Sequence, residues 1–256
     1  MTLDLQSAAT RRMRRLIGGL ILAVLVLVAL VVFLAVRGSG GNGSNNTGAA
    51  APTPEQSSSA PSDPAVEDPD EGYVAPEQYV ALPAAKSTGA KNLPTGFPHT
   101  PEGAVAMVVA SSRNAYTLDE AKLRAGLETY TVQQYRDVAV DAADDSIKYT
   151  RQSIGLPETG TVPAGATLAA WPLGVKWTAK DADHVQVLIL LKVTSSPGAG
   201  QQETTKLVTT SAETVWEDGD WKTQPNNPGK LPDPVDLGTS AFNTAGWKAI
   251  QEGDRL

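Results

Sequence analysis

Residues 184–193 read HVQVLILLKV, and they decide the fold class because apolar side chains recur at every second position. A period of two is typical of a β-strand that buries one face. Residues 173–177 alternate in the same way before this stretch, and residues 206–216 predict a strand after it. The dipeptide Asp218-Gly219 is typical of a hairpin turn into one more strand. We therefore expect antiparallel strands throughout this part of the chain.

Helical spacing replaces the period of two between residues 100 and 155. Residues 100–102, Thr-Pro-Glu, combine an N-cap, a proline for the first turn and an early acid, so they predict a helix start. Residues 117–120 match a capping box for a second helix. One longer helix is predicted over residues 132–154, with Gly155 as its stop. Helices followed by antiparallel strands indicate an α+β fold with the helices on one face of a curved sheet.

An uncharged apolar run occupies residues 16–36. About 20 helical residues cross a hydrocarbon core of about 30 Å, so the run predicts a transmembrane helix. A signal peptide is the alternative, but its apolar region is shorter and ends in a small-x-small site that this run lacks. Four arginines within residues 1–15 favour a cytoplasmic tail there, which places the carboxyl-terminal part outside the cytoplasm. The predicted localisation is therefore the cell membrane, with the lipid bilayer as one partner.

Residues 37–95 consist mainly of Gly, Ser, Asn, Pro, Ala and acidic residues. They carry too little apolar surface to offset the entropy of ordering, so we predict a disordered linker. Tyr73, Tyr79 and Leu82 interrupt this polarity; a docking motif is one interpretation, and scattered apolar residues in a linker are the favoured one. The predicted extracytoplasmic domain is residues 96–256.

Composition excludes several classes of site in this sequence of 256 residues. It holds no cysteine and two histidines, which excludes disulfides, thiol nucleophiles and Cys-ligated metals and makes His-rich metal sites hard to build. A net charge of -7 argues against direct contact with nucleic acid. We predict no cofactor and no metal.

Three motifs suggest chemistry, and each has a simpler interpretation that we favour. Residues 156–160, LPETG, spell a sortase recognition sequence, but a sorting signal is followed closely by an apolar span; a helix-to-strand loop is favoured. Asp141, Asp144 and Asp145 could serve acid–base work or Ca²⁺, yet a solvated helix face explains them. Residues 217–220, EDGD, are interpreted as a hairpin turn before a metal site.

The order of elements resembles the nuclear-transport-factor-2-like fold, in which helices and a bent antiparallel sheet form a cone. Residues 214–222, TVWEDGDWK, look like the final hairpin of exported members, among them conjugation proteins similar to VirB8 and TcpC. Residues 96–104, GFPHTPEGA, resemble openings of membrane-anchored actinobacterial proteins.

The resemblance to VirB8 implies a non-catalytic scaffold that self-associates and contacts other subunits of an envelope-spanning, type IV secretion-like transfer machine. The resemblance to membrane proteins of mammalian-cell-entry transport systems implies an alternative, a domain that binds a small ligand or lipid in the cone. A small-molecule enzyme of the same fold is a third hypothesis.

Enzymes of this fold place a general base and a hydrogen-bond donor at the mouth of the cone. Here His184 with Tyr130, Tyr135 or Tyr149 is the candidate pair. A surface histidine at the start of a strand is the favoured interpretation of His184. His99 stands at a helix entrance, where contact with backbone or solvent is expected. We therefore predict no catalytic residues and no enzymatic activity.

Overall fold

Helices packed on a mixed β-sheet form the part of the chain that the computed structural model describes, residues 72–251. The α+β class is confirmed. The predicted tail at 1–15, the transmembrane helix at 16–36 and the first part of the linker lie outside the described residues. Within residues 72–251, no helix has the length and apolar character needed to cross a membrane.

Five α-helices occur among the described residues. They are α1 (Pro101–Ala115), α2 (Glu120–Tyr130), α3 (Gln133–Asp141), α4 (Ala143–Ser153) and α5 (Ser240–Thr244). The predicted start of α1 is confirmed, because the Thr100 hydroxyl accepts a hydrogen bond from the Gly103 N–H at 3.1 Å.

Six of the eight described strands form one sheet. The strands are β1 (Tyr79–Val80), β2 (Ser87–Thr88), β3 (Pro94–Thr95), β4 (Thr167–Ala179), β5 (His184–Ser196), β6 (Thr204–Glu217), β7 (Asp220–Gln224) and β8 (Lys248–Ile250). Their order is β1-β8-β4-β5-β6-β7, while β2 and β3 pair separately. All neighbours in the large sheet run antiparallel except β1 and β8, which are parallel. The predicted antiparallel strands are thus present, with a parallel pair added at one edge.

The alternation of residues 184–193 separates the two faces of β5. Val185, Val187 and Ile189 are fully buried in the main core beneath the helices. Leu190, on the opposite face, is also fully buried, because Phe242 and other residues of the carboxyl-terminal segment cover that face. The sheet therefore lies between the helices and this segment.

The single helix predicted over residues 132–154 is wrong, because the structure has two helices, α3 and α4. Ala142 separates them with φ −80° and ψ −3°, away from the helical ψ. Apolar residues keep a helical spacing across the break, so the sequence pattern could not reveal it. Gly155, at φ +81°, ends the second helix as predicted.

The capping box predicted at residues 117–120 is also wrong. Asp119 is the N-cap of α2, and its carboxylate accepts from the Lys122 N–H at 3.0 Å. Thr117 supports this cap instead, since its hydroxyl accepts from the Asp119 N–H at 3.1 Å. Glu120 bonds to Arg124 one turn along. Asp119, two residues after the expected N-cap Thr117, is therefore the N-cap, and the predicted pairing of Thr117 with Glu120 does not form.

The folded unit begins before residue 96, so the predicted linker extends too far. Strand β1 pairs with β8, and Leu82 and Leu93 are buried in the main core. Tyr79 is about half exposed, whereas Val80 beside it is buried. These apolar residues are too sparse to show a period. Their positions in the fold depend on contacts with strands that are distant in the sequence.

Candidate functional site

A cavity of about 200 Å³ lies between the helices and the sheet and is partly open to solvent. Val108 of α1, Leu127 of α2 and Ile189 of β5 contribute apolar walls from three elements. Of the described residues that line the cavity, none is charged. Most of the lining surface is apolar, although many of the lining residues have uncharged polar side chains, and such a surface is compatible with a small-molecule site.

Tyr116, one of the residues that line the cavity, carries a buried hydroxyl group. It lines the cavity and is 9% exposed, and its hydroxyl has no hydrogen-bond partner within residues 72–251. Burial raises the pKa of the Tyr116 hydroxyl to about 12, so the group stays protonated at neutral pH. A buried hydroxyl without a partner costs about 1–3 kcal/mol.

The end of α1 determines where Tyr116 lies. It is the C-cap residue of this helix, and its N–H donates to the Ser112 carbonyl at 3.4 Å. The next helix approaches α1 closely at Gly126, where a Cβ atom would lie 1.7 Å from Asn114 Nδ2. Only glycine permits this approach without movement, so α1 and α2 together form a tight helical wall.

Hydrogen bonds fasten α3 to the strands across the cavity. The Val132 N–H donates to the Thr223 carbonyl at 3.0 Å, and the Gln133 N–H donates to Glu217 Oε1 at 2.7 Å. Tyr135, one turn further along, supplies a second tyrosine to the cavity lining. The start of α3, the helix that carries Tyr135, is therefore bonded to the backbone of β7 and to the Glu217 carboxylate of β6.

The acid–base pair considered for His184 is not assembled. Its Nδ1 lies 2.9 Å from the Asp181 carboxylate, and the strand period places His184 on the sheet face opposite the cavity. The Tyr130 hydroxyl donates instead to the Pro94 carbonyl at 3.0 Å, while Tyr149 lies on α4. Among the described residues, no hydrogen bond joins His184 to a tyrosine.

His99 has a packing role at the entrance to α1. Its Nε2 lies 2.8 Å from Asp183 Oδ1, and its ring stacks on Trp216 at a centroid distance of 4.1 Å. Trp221 supports the same entrance, because its indole N–H donates to the Pro98 carbonyl at 2.8 Å. The side chain of His99 is also exposed, so the expected solvent contact is present, together with contacts to an aspartate and an indole ring.

The three aspartates of the helical region lie on a solvated surface. Asp144 bonds to Arg124 at 2.6 Å, which holds the pKa of that carboxyl below its ordinary value. Asp145 contacts Lys148 at 3.1 Å, and Asp141 is exposed. No group of His, Asp and Glu able to hold a metal ion occurs within residues 72–251.

Residues 217–220 form the hairpin turn between β6 and β7. Asp218 and Gly219 have φ of 53° and 79°, as a two-residue turn of type I′ requires. Asp220 is buried and faces the chain before α1, where its carboxylate accepts from the N–H groups of Gly96 and Phe97 at 2.9 and 3.0 Å. Its role is to fix the entry to the helices.

The LPETG sequence lies in the loop between α4 and β4. The buried Arg151 donates to the carbonyls of Pro157, Thr159 and Gly160 at 2.7, 3.2 and 2.9 Å. These bonds hold the carbonyl that a sortase would have to attack. The favoured loop interpretation is confirmed. The only signal in the sequence for these three hydrogen bonds was an arginine in the last turn of a helix.

Comparisons with known proteins add little to this description. No protein-family model matches the chain, and no curated protein matches its sequence. Among solved structures, the chain is similar to the intermembrane space region of chloroplast protein ARC6. The two are 14% identical, the match covers 48% of this chain and 88% of that one, and the TM-score is 0.30. A likeness at this score supports no inference about fold family or function.

Proposed function

We propose that the folded unit is a non-catalytic binding domain that takes up a small uncharged ligand in the cavity between helices and sheet. The uncharged and mostly apolar lining of the cavity carries this proposal. An engineered cavity of about 150 Å³ binds benzene, so about 200 Å³ accommodates a slightly larger molecule. A charged ligand would lose its hydration there without gaining an opposite charge.

Anchoring by residues 16–36 completes the proposal. The bilayer would hold the domain at the outer face of the cell membrane, as the arginines near the N-terminus favour. A tethered domain meets membrane-associated ligands and neighbouring proteins at a raised effective concentration. The nuclear-transport-factor-2-like cone remains part of the same proposal, supported by helices on one face of a sheet.

Binding of indane tests the proposal, because this uncharged hydrocarbon fits the cavity and cannot form hydrogen bonds. Calorimetric titration of the purified full chain is expected to show saturable binding. Ala212→Leu fills the cavity from β6 and should weaken binding at least about tenfold. The matched variant Ala179→Leu, at the exposed end of β4, should bind as the native chain does.

Loss of binding in Ala212→Leu counts only for a folded variant, judged by its circular dichroism. Ser112→Leu, on the helical wall of the same cavity, provides a second filling variant. Indane that partitions into detergent or lipid gives a signal shared by all these variants. Equal binding by the native chain and both filling variants would therefore contradict the proposal, as would the absence of saturable binding.

A subunit of an envelope-spanning assembly, related in role to VirB8, is the second candidate. The exposed side chains of Tyr73, Val74 and Leu237 favour it. They adjoin Gly238, whose carbonyl accepts from the Val74 N–H at 2.8 Å. A Cβ atom at Gly238 would lie 2.5 Å from the Tyr73 ring, so the ring packs closely over this glycine. Exposed apolar patches of this kind are typical of protein-binding surfaces.

Self-association through this patch is the form of the second candidate that can be measured directly. Light scattering of the full chain is expected to give a dimer or larger species, and Tyr73→Ser with Leu237→Ser should shift it to the monomer. Thr178→Ser, at an exposed site of β4, is the control substitution. A native chain that stays monomeric at high concentration would contradict self-association through this patch.

A further inference from the structure

A second cavity, of about 270 Å³, lies where the end of α4 approaches strands β4, β5 and β6. None of the described residues that line it also lines the first cavity. Leu168, Val193 and Val208 form an apolar wall, which belongs to the sheet face beneath the helices. Residues 153–155, at the end of α4, contribute to the lining as well. The second cavity is therefore a separate space that the proposed function does not use.

Lys206 is the one charged residue among the described residues that line this second cavity. It lies directly opposite Val193 in the pairing of β5 with β6, and two residues before Val208 on its own strand. Side chains alternate between the two faces of a strand, so Lys206 projects from the face that carries both valines. Its side chain is half-buried, and this burial lowers the pKa of Lys206 below its ordinary value. The cationic side chain thus rises from the apolar wall of the cavity and not from the opposite face of the sheet.

The chemistry of the lining favours a ligand with two unlike parts. A carboxylate that pairs with a partly buried ammonium group forms a charge-assisted hydrogen bond, and no aspartate or glutamate among the described lining residues opposes it. An ammonium group has three N–H donors, so it serves a ligand together with another acceptor. The apolar wall favours a hydrocarbon for the rest of the ligand, because burial removes that surface from water.

We propose that the second cavity binds a small amphipathic carboxylate, whose charged group pairs with Lys206 and whose hydrocarbon part packs against Leu168, Val193 and Val208. Scaled from benzene in about 150 Å³, the cavity accommodates a ligand of about ten non-hydrogen atoms. This site goes beyond the proposed function, which concerns an uncharged ligand in the first cavity. The two ligand classes differ because a lysine lines the second cavity and no charged residue among those described lines the first.

Phenylacetate and phenylacetamide test the charge requirement, because they have nearly the same shape and differ in charge. Calorimetric titration of the purified full chain at neutral pH is expected to show saturable binding of phenylacetate, about fivefold tighter than that of phenylacetamide. Lys206→Met keeps an unbranched apolar side chain and removes the charge, so this variant should lose the preference. Lys192→Met is the matched control, because Lys192 is exposed on the opposite face of the sheet, next to Val193. The preference should persist in this control.

Two variants that fill one cavity each locate the binding site. Ser195→Leu fills the second cavity from β5 and should weaken the binding of both probes at least about fivefold. Ala212→Leu fills the first cavity and should leave phenylacetate binding unchanged. Circular dichroism identifies the variants that are folded, and only these are compared.

The outcomes separate this inference from the proposed function. Absence of saturable phenylacetate binding, equal affinity of the native chain for the two probes, or a preference that survives in Lys206→Met would each overturn the second site. Loss of phenylacetate binding in Ala212→Leu but not in Ser195→Leu would also overturn it, since the ligand would then occupy the first cavity. Phenylacetate binding by a chain that does not bind indane would support the second site and contradict the proposed function.

Discussion

Replacement of Asp220 tests how the entry to the helices is held. This residue is 7% exposed, and its carboxylate accepts from the backbone N–H groups of Gly96 and Phe97 at 2.9 and 3.0 Å. Lys222 Nζ lies 3.8 Å from the same carboxylate. Asp220 Oδ1 also accepts from the Trp221 N–H at 3.0 Å. Asp220→Ala therefore removes the acceptor for three backbone donors and leaves the lysine without its opposite charge.

The expected loss can be worked from these contacts. Each backbone N–H left without a partner costs about 1–3 kcal/mol, and bonds to a charged acceptor lie in the upper part of that range. For Asp220→Ala we expect the free energy of unfolding to fall by about 3–5 kcal/mol. Asp220→Asn keeps one oxygen and should lose about 2 kcal/mol. The larger loss is a substantial part of a typical stability of about 5–15 kcal/mol.

Urea unfolding followed by tryptophan fluorescence measures these losses, because the buried Trp221 is the next residue. Asp233→Ala, at an exposed position, should change the free energy of unfolding by less than about 0.5 kcal/mol. A loss below about 1 kcal/mol for Asp220→Ala would refute the assigned role. The role would also be refuted if Asp220→Asn were less stable than Asp220→Ala.

Three further substitutions test separate features of the fold. Gly103→Ala should lower the free energy of unfolding, measured by urea titration, by about 2–4 kcal/mol, because its Cβ would lie 1.9 Å from the Pro98 oxygen. Alanine by itself favours a helix over glycine, so a gain in stability would contradict this steric conflict. Arg151→Met should cost about 2–4 kcal/mol and expose residues 156–160 to limited proteolysis, since three carbonyls lose their donor; an unchanged cleavage rate would argue against the clamp. The raised pKa of Tyr116, about 12 against 10.0, means that the folded chain keeps the proton longer, so stability falls as pH rises above about 10. Tyr116→Phe should remove about 1.4 kcal/mol of that fall at about pH 11, and identical pH profiles for the two chains would refute it.

Local signals in the sequence were sufficient wherever a feature depends on neighbouring residues. The alternation from 184 to 193 predicted β5, Thr100 predicted the start of α1, and Asp218-Gly219 predicted the turn before β7. In each case the period, the cap or the positive φ is a property of the segment itself. These signals also establish that helices α1 to α4 precede the long strands β4 to β6.

Features that depend on distant contacts could not be predicted. Ala142 interrupts a helix whose apolar spacing continues, and β1 acquires its place only through β8. The burial of Tyr116 could not be predicted either, because neither that burial nor its unpartnered hydroxyl has a local signature. Asp220 was recognised as part of a turn, but its bonds to residues more than a hundred positions earlier became visible only in the structure.

Contacts between bound indane and methyl groups of the full chain test the central claim most directly. Nuclear Overhauser effects are expected from indane protons to the methyls of Leu127 and Ile189, which line the cavity. None is expected to Leu190, which is as buried as Ile189 but lies on the opposite face of the sheet. Effects to all three residues alike, or to Leu190 alone, would contradict a ligand site between the helices and the sheet.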